Sequence, residues 1–579
     1  MDREASRNAS SNVRKIRRRG ASRLAALAFA ALAATAPALG QTAKVGGGGI
    51  AEIQPATTRA FADVVRFLEQ ATFGPTTDLI GYVQNVGFEE WLAEQFAAAT
   101  SSYPALPPMP GSSSVGCPNG SPPTCHRDNY SMYPLQVRFF RNALGNDDQL
   151  RQRVALALHE ILVVSGVKIS QPSQMAPYLN MLLNDAFGNY RKILWDLTLN
   201  PAMGHYLDMV NNDAPAPPSN VSPNENYGRE VMQLFSLGVN LLNPDGSVRL
   251  DTFGNPIPTY TQDNIEDFSH VFTGWTYAPI PPAKSVRHNA ANFLEPMVLY
   301  RDAAGKDTNH DKGPKVLLDY PGAASPSLPA GGDGEVELNA AIDNIFHHPN
   351  VGPFIGRQLI QHLVTSNPSP GYVSRVASVF DDDGAGVRGD MKAVVRAILL
   401  DPEARGLVKT DPRYGHLREP VLFITSLLRA LDARSDGILA AQANAMGQNL
   451  FDSPTVFSYY PHEYVVSGTG LQGPEMGIQS TLAAIDRANF VNTMAFSQIH
   501  SPAPDPGTVL DLSPLKALAP DATALVGYLN RLLMHGSMSA DMLATVTDAV
   551  TAIPPTNPLL RAQTALYLIV SSSQYQVAR

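Results

Sequence analysis

The stretch LRQRVALALHEILVVS, residues 150–165, decides the fold class. Val154, Ala157, Leu158, Ile161, Leu162 and Ser165 recur at the three-and-four spacing of one helical stripe. Working outward, residues 351–364 repeat the pattern with Ile355, Leu359 and Leu363. Similar helical periods run through 59–70, 177–185, 342–347, 373–380, 391–400, 420–431, 479–494, 525–533 and 559–570. Strand-like alternation is scarce. Its best instance is 247–251, followed by Phe253-Gly254-Asn255-Pro256 and a return over 256–261, which predicts a hairpin inserted between two helices. The expectation is a mainly α protein: a large multi-helix single-core domain with a small inserted β-hairpin. Its long Pro/Gly-rich loops fall at 214–223, 278–284, 321–334 and 502–507. No fixed-period repeat is present, which argues against a solenoid.

Composition narrows the class further. Of 579 residues, 44% are hydrophobic, enough for a sizeable core and against global disorder. Residues 1–40 have the order of an export signal. Basic Arg14-Lys15-Ile16-Arg17-Arg18-Arg19 precedes an apolar run over 24–36, and Ala38-Leu39-Gly40 ends in small residues, so cleavage before Gln41 is expected. Arg17 to Arg19 also leave the twin-arginine route open, although Gly20 and Ala21 stand where an apolar residue is usual. Without residues 1–40 the chain has 35 Lys+Arg against 50 Asp+Glu, a net −15 instead of −9. That balance argues against nucleic acid as the partner. No later run is long and apolar enough to span a bilayer, so a periplasmic or extracellular protein without a transmembrane segment is expected after signal removal.

The expected organisation is a signal at 1–40, a flexible segment at 41–57, a main helical domain at 58–508 and a C-terminal helical layer on the same core at 509–579. Two cysteines exclude a disulfide scaffold and a multi-cysteine metal site. Cys117 and Cys125 beside a Pro/Gly/Ser-rich loop fit a disulfide formed in an oxidising compartment; the rival is a metal pair with His126, for which no fourth ligand lies near.

The segment PNENYGREVMQLFSLG, residues 223–238, is distinctive. With RFLEQATFGP (66–75), DAFGNY (185–190), FTGW (272–275), HPN (348–350), LVTSNPSPGYV (363–373) and LLDPEAR (399–405), it resembles the large bacterial family called domain of unknown function 1800. The resemblance implies a secreted, largely helical protein with no established reaction. It also implies a neighbour: members are often encoded beside a second secreted family resembling alkaline phosphatases and sulfatases, a candidate partner.

Within the signature, Ser222-Pro223-Asn224-Glu225 reads as a capping box, Gly238 as the residue that ends the helix, and Glu225 as an i,i+4 partner of Arg229. Asn226, Glu230 and Gln233 share one face beside apolar Tyr227, Val231 and Leu234. Polar groups there are either a structural network or a site with Glu230 as acid, base or ligand. The expected catalytic set is Glu230, Arg229, Asn226 and His270, and the expected substrate contacts are Trp275, Tyr227 and Gln233. His270 follows Asp263, Glu266 and Asp267 on a helical face, and Trp275 suits either core packing or a sugar platform. Asn309-His310-Asp311 is a weaker ligand cluster, and Asp381-Asp382-Asp383-Gly384 departs from an EF-hand but leaves calcium open. His159-Glu160 begins like a zinc-protease helix but has Val163 where the second His belongs. No metal or cofactor is identifiable, and no nucleotide-binding fingerprint is present.

Two functions compete. One is an exported hydrolase or lyase acting on a polysaccharide or other surface or environmental polymer by carboxylate acid/base chemistry. The other is a non-catalytic secreted protein that binds a polymer or assembles with a partner. Convergence of Glu230, Arg229, His270 and Trp275 on one cleft would favour the first.

Overall fold

A computed structural model describes residues 60–215, 222–323, 325–406, 408–501 and 505–579. The expected signal at 1–40 and segment at 41–57 lie outside these residues, as do parts of the loops at 214–223 and 502–507. Among the described residues, 18 helices have seven or more residues, and the paired strands are two residues long. The protein is mainly α, as expected. No described helix is long and apolar enough to cross a membrane.

The helix Gln149–Ile161 occupies the centre. The sequence pattern suggested one buried stripe, yet every residue of this helix is buried, Arg151, Arg153, His159 and Glu160 included. The reason is tertiary. Phe61–Ala71, Phe88–Ala97, Tyr133–Gly145, Pro172–Asp185 and Val351–Leu363 all pack against it, so no side faces water. A second wholly buried helix, Pro420–Ala430, starts with proline in its first turn, where a missing N–H costs nothing.

Gly74 joins these elements. Its φ of +128° is a conformation that L side chains rarely adopt, and an added Cβ would lie 2.5 Å from Ser426 Cα in the Pro420–Ala430 helix. The same contact is held by Arg429, whose Nε donates to Gly74 O at 2.6 Å and whose Nη1 donates to Leu144 O at 2.9 Å. The most extensive helix pair, Val351–Leu363 with Pro370–Asp381, approaches closely at Gly356, where a Cβ would sit 3.0 Å from Val376.

The hairpin lies between the helices Asn226–Gln233 and Gln262–Val271, with antiparallel bridges Leu242↔Val248, Leu250↔Pro256 and Asn240↔Pro258. The helix of the signature starts later than expected. Ser222 does not cap it; Glu225 stands at the N-cap without a side-chain cap, and Asn224 Oδ1 accepts the Asn226 N–H at 2.9 Å. Gly238, at φ +75°, closes the following turn onto Met232 O. Cys117 and Cys125 form a disulfide with Cα atoms 5.9 Å apart, so their thiolates are not available to a metal with His126. One continuous set of buried apolar residues runs from Val64 to Tyr575, and the strand Val577–Ala578 pairs antiparallel with His416–Leu417.

Gly74→Ala should lower stability by more than about 1 kcal/mol, since it adds both backbone strain and a clash with backbone that cannot move aside. Urea unfolding checks this, and an unchanged midpoint would show that the junction yields.

Candidate acid–base site

The residues expected from sequence separate into three places. Asn226, Arg229, Glu230 and Gln233 lie on one short helix. Asn226 Nδ2 donates to Asp208 Oδ2 at 3.0 Å, Arg229 pairs with Glu225 at 2.8 Å, and Gln233 Oε1 accepts from the Tyr260 hydroxyl at 3.0 Å. Tyr227 is buried, its hydroxyl 2.6 Å from Thr198 Oγ1. Glu230 is half-buried and its Oε2 has no hydrogen-bond partner; burial raises its pKa against the opposing pull of Arg229. His270 is elsewhere, 2.5 Å from Asp311 Oδ2. His310, next to Asp311, is buried against Glu337 at 3.0 Å, and Lys315 reaches the same Glu337 oxygen at 2.7 Å. Trp275 is only 2% exposed and borders a groove of about 480 Å³ with Trp195, Met297 and Arg301. None of Glu230, Arg229 and His270 lines that groove. The carboxylates of Asp382 and Asp383 are occupied by backbone N–H groups of their own turn.

A more concentrated polar group surrounds the end of the central helix. Glu160, His362, Gln361, Glu475, His462 and Ser458 line one small cavity of about 40 Å³, with Tyr460 beside them. Its rim is apolar: Leu234, Val456, Phe457, Pro461 and Pro474. Space of this size holds about three water-sized groups. Glu160 Oε2 lies 3.3 Å from His362 Nδ1, without the alignment of a hydrogen bond. Glu475 is held by His416 Nδ1 at 3.1 Å.

Glu419 stands behind Glu160, at the entry to the Pro420–Ala430 helix. A residue in that position usually caps the helix with its own side chain. Here Gln448 substitutes: its Oε1 accepts the Val421 N–H at 2.9 Å. The Glu419 carboxylate is thereby free to accept from Tyr460 at 3.0 Å and from Gln448 Nε2 at 2.7 Å. The same Gln448 nitrogen reaches Glu160 Oε1 at 2.9 Å, so one amide bridges two glutamates. Arg153, seven residues before Glu160 on the helix, donates to the His362 carbonyl and supplies positive charge to both.

Burial is the first cause of the electrostatics. It pushes Glu160 up to about 7 and Glu419 up to about 8; repulsion from Glu160 adds to the rise at Glu419, and Arg153 opposes it at both. The Gln448 amide holds the two carboxyls side by side, and repulsion between them opposes their ionising together. Burial holds His362 below its ordinary 6.5, so it is a neutral imidazole at pH 7. An acid, its conjugate base and a neutral imidazole thus stand together near neutral pH, the condition for proton transfer in either direction. Among the described residues, no group of three or more His, Cys, Asp or Glu side chains is arranged to hold a metal ion.

Sequence reading missed this group. It rejected His159-Glu160 for lacking a second metal-ligand histidine, and Glu160 has a different use. His159 turns away, with Nδ1 3.3 Å from the Tyr178 hydroxyl. The available sign was Arg153 and Glu160 seven residues apart, and so on one face of a helix with a buried apolar stripe, matched by Gln358, Gln361 and His362 on 351–364. Glu419, Tyr460 and Glu475 are distant in sequence and carried no sign of their own.

The described residues therefore form a large helical domain with a small polar cavity beside the end of the Gln149–Ile161 helix. The chain matches the family described as "Protein of unknown function (DUF1800)" over residues 66–577, and it belongs to that bacterial family. Among curated proteins and among solved structures, none matches it.

Two outcomes are expected. Both glutamates have folded pKa values above the unfolded 4.5, so the native state holds more protons, and their stabilising contribution is lost as pH rises toward 8. His362 contributes the opposite sign only below about 6.5. Glu419→Gln should therefore flatten the fall in stability between pH 6.5 and 8 that wild type shows in urea unfolding; parallel curves would remove the pair as its source. Arg153→Met should cost about 3–5 kcal/mol at pH 8, where it leaves buried carboxylates unpaired, and clearly less at pH 5.

Proposed function

We propose that this chain is an exported enzyme, a hydrolase or lyase that acts in the periplasm or outside the cell through the Glu160–Glu419 pair and His362. The order of basic, apolar and small residues over 1–40 supports export, and the Cys117–Cys125 disulfide is consistent with an oxidising compartment. One observation carries the acid–base reading: a glutamate titrating at about 7 borders a cavity, with a neutral histidine 3.3 Å away. Glu160 is the group in reach of a substrate, whereas Glu419 lies behind it and acts as a positioning residue. The cavity is too small for the interior of a polymer strand, so the substrate enters by an end or a single substituent while the rest lies on the apolar rim. A surface or environmental polymer such as a polysaccharide suits this arrangement.

A second reading, a non-catalytic polymer binder, draws on the Trp195–Trp275 groove, since paired indoles with Arg301 at the edge suit a ring-shaped ligand. A panel of polysaccharides and other polymers, assayed for both binding and turnover, separates the two. Turnover by wild type should fall by about 10²- to 10⁴-fold in Glu160→Gln, with folding retained. Glu160→Gln turning over at the wild-type rate would exclude this cavity as the site. Binding without turnover by wild type, lost in Trp275→Ala, would establish the binder.

A further inference from the structure

Unmet acceptors gather in the cavity. Gln361 is 3% exposed, and its Nε2 donates to Ser366 O at 3.1 Å, His462 O at 3.3 Å and Gln472 Oε1 at 2.9 Å. Two of those partners are carbonyls, which fixes the amide orientation and leaves Gln361 Oε1 as the free edge; it has no donor. Glu475 is equally buried. Its Oε1 is taken by His416, and its Oε2 has no partner. Ser458 Oγ, held in place by a left-handed backbone at φ +63°, is also unpaired. All three residues line the same cavity. Of the donors nearby, the Tyr460 hydroxyl is spent on Glu419 and Gln448 Nε2 on Glu419 and Glu160, while His462 Nδ1, also on the cavity and without a partner, donates or accepts according to its tautomer. Leaving such acceptors unmet inside a protein costs about 1–3 kcal/mol each, so this arrangement calls for a ligand.

We propose that the cavity is a subsite for a primary ammonium group, held by Glu475 Oε2, Gln361 Oε1 and Ser458 Oγ. An ammonium brings three donors and no acceptor, which matches a lining where Gln361 Oε1 can only accept and Glu475 Oε2 and Ser458 Oγ can accept beside it. A hydroxyl brings a single donor and leaves one of the two carbonyl-type oxygens unmet, and an anion brings no donor to either. The apolar rim of Val456, Phe457 and Pro474 suits the carbon that bears the nitrogen. Taken with the acid–base reading, on which this last step rests, the substrate class is an amine-bearing molecule whose nitrogen anchors beside Glu160.

The test separates binding from turnover. Full-length mature protein is titrated with n-propylammonium chloride, and in parallel with 1-propanol and with KCl at matched ionic strength, followed by calorimetry and by Tm. Saturable binding and a rise in Tm are expected for propylammonium alone. Glu475→Gln and Glu160→Gln should each weaken it, the first by about tenfold or more, as expected for losing a charge-assisted hydrogen bond. Propanol binding as well as propylammonium, or no saturable binding by the amine to wild type, overturns the proposal whether or not the variants fold. Amine binding in a protein that turns over no substrate sustains the subsite and removes the acid–base reading alone.

Discussion

A helix with no side facing water must have its charges answered inside the protein. The Gln149–Ile161 helix carries Arg151, Arg153, His159 and Glu160 into such a position, and the surrounding structure is arranged around their needs. Arg151 donates to the Leu183 carbonyl at 3.0 Å. His159 is set against Tyr178, and Arg153 against the end of the Val351–Leu363 helix. Glu160 is answered only in part, by Gln448 at Oε1, and burial raises its pKa. Its Oε2 has no hydrogen-bond partner, and the residue borders a cavity. A buried pair of this kind is weak evidence for stability.

Gln448 shows how local helix chemistry supports that arrangement. One side chain caps the Pro420–Ala430 helix through Oε1 and bridges two carboxyls through Nε2. Replacing the cap by Glu419 itself would satisfy the helix and remove the acid from the cluster. The division of labour thus positions Glu419 without spending it. The helix is held at its other end by Arg429 on Gly74 and Leu144, so the two ends are fixed independently.

The helices were legible because apolar spacing survives without knowledge of neighbours: 391–400 and 351–364 correspond to Met391–Leu400 and Val351–Leu363. Thr77–Val86, Phe88–Ala97 and Tyr190–Leu199 escaped notice, their apolar stripes being less marked than that of the equally long Met391–Leu400. The inserted hairpin was legible from its turn residues. The site was not. The Asn226–Gln233 helix attracted attention because polar residues there sit beside buried ones, a local pattern; His270 and Trp275 are engaged otherwise, His270 with Asp311 and Trp275 in its strand pairing with Leu299. The Glu160 cluster is built from residues hundreds of positions apart. Glu160 and Gln448 are separated by 288 residues, and no local pattern encodes such a meeting.

The pairing of His416–Leu417 with Val577–Ala578 has a consequence for biogenesis. Arg418, next to Glu419, is tied by its N–H to Gln576 O, by its guanidinium to Tyr575 O and by Nη2 to Glu69 Oε1 at 2.8 Å. Glu69 belongs to an early helix and Tyr575 comes 157 residues after Arg418. The backbone that aims Glu419 therefore cannot settle until a much later stretch has been synthesised and has returned to it. Contacts of such long range form slowly. A chain emerging from the ribosome thus keeps the Glu160–Glu419 pair unassembled, and this tertiary lock closes only after Tyr575 and Val577 have been made.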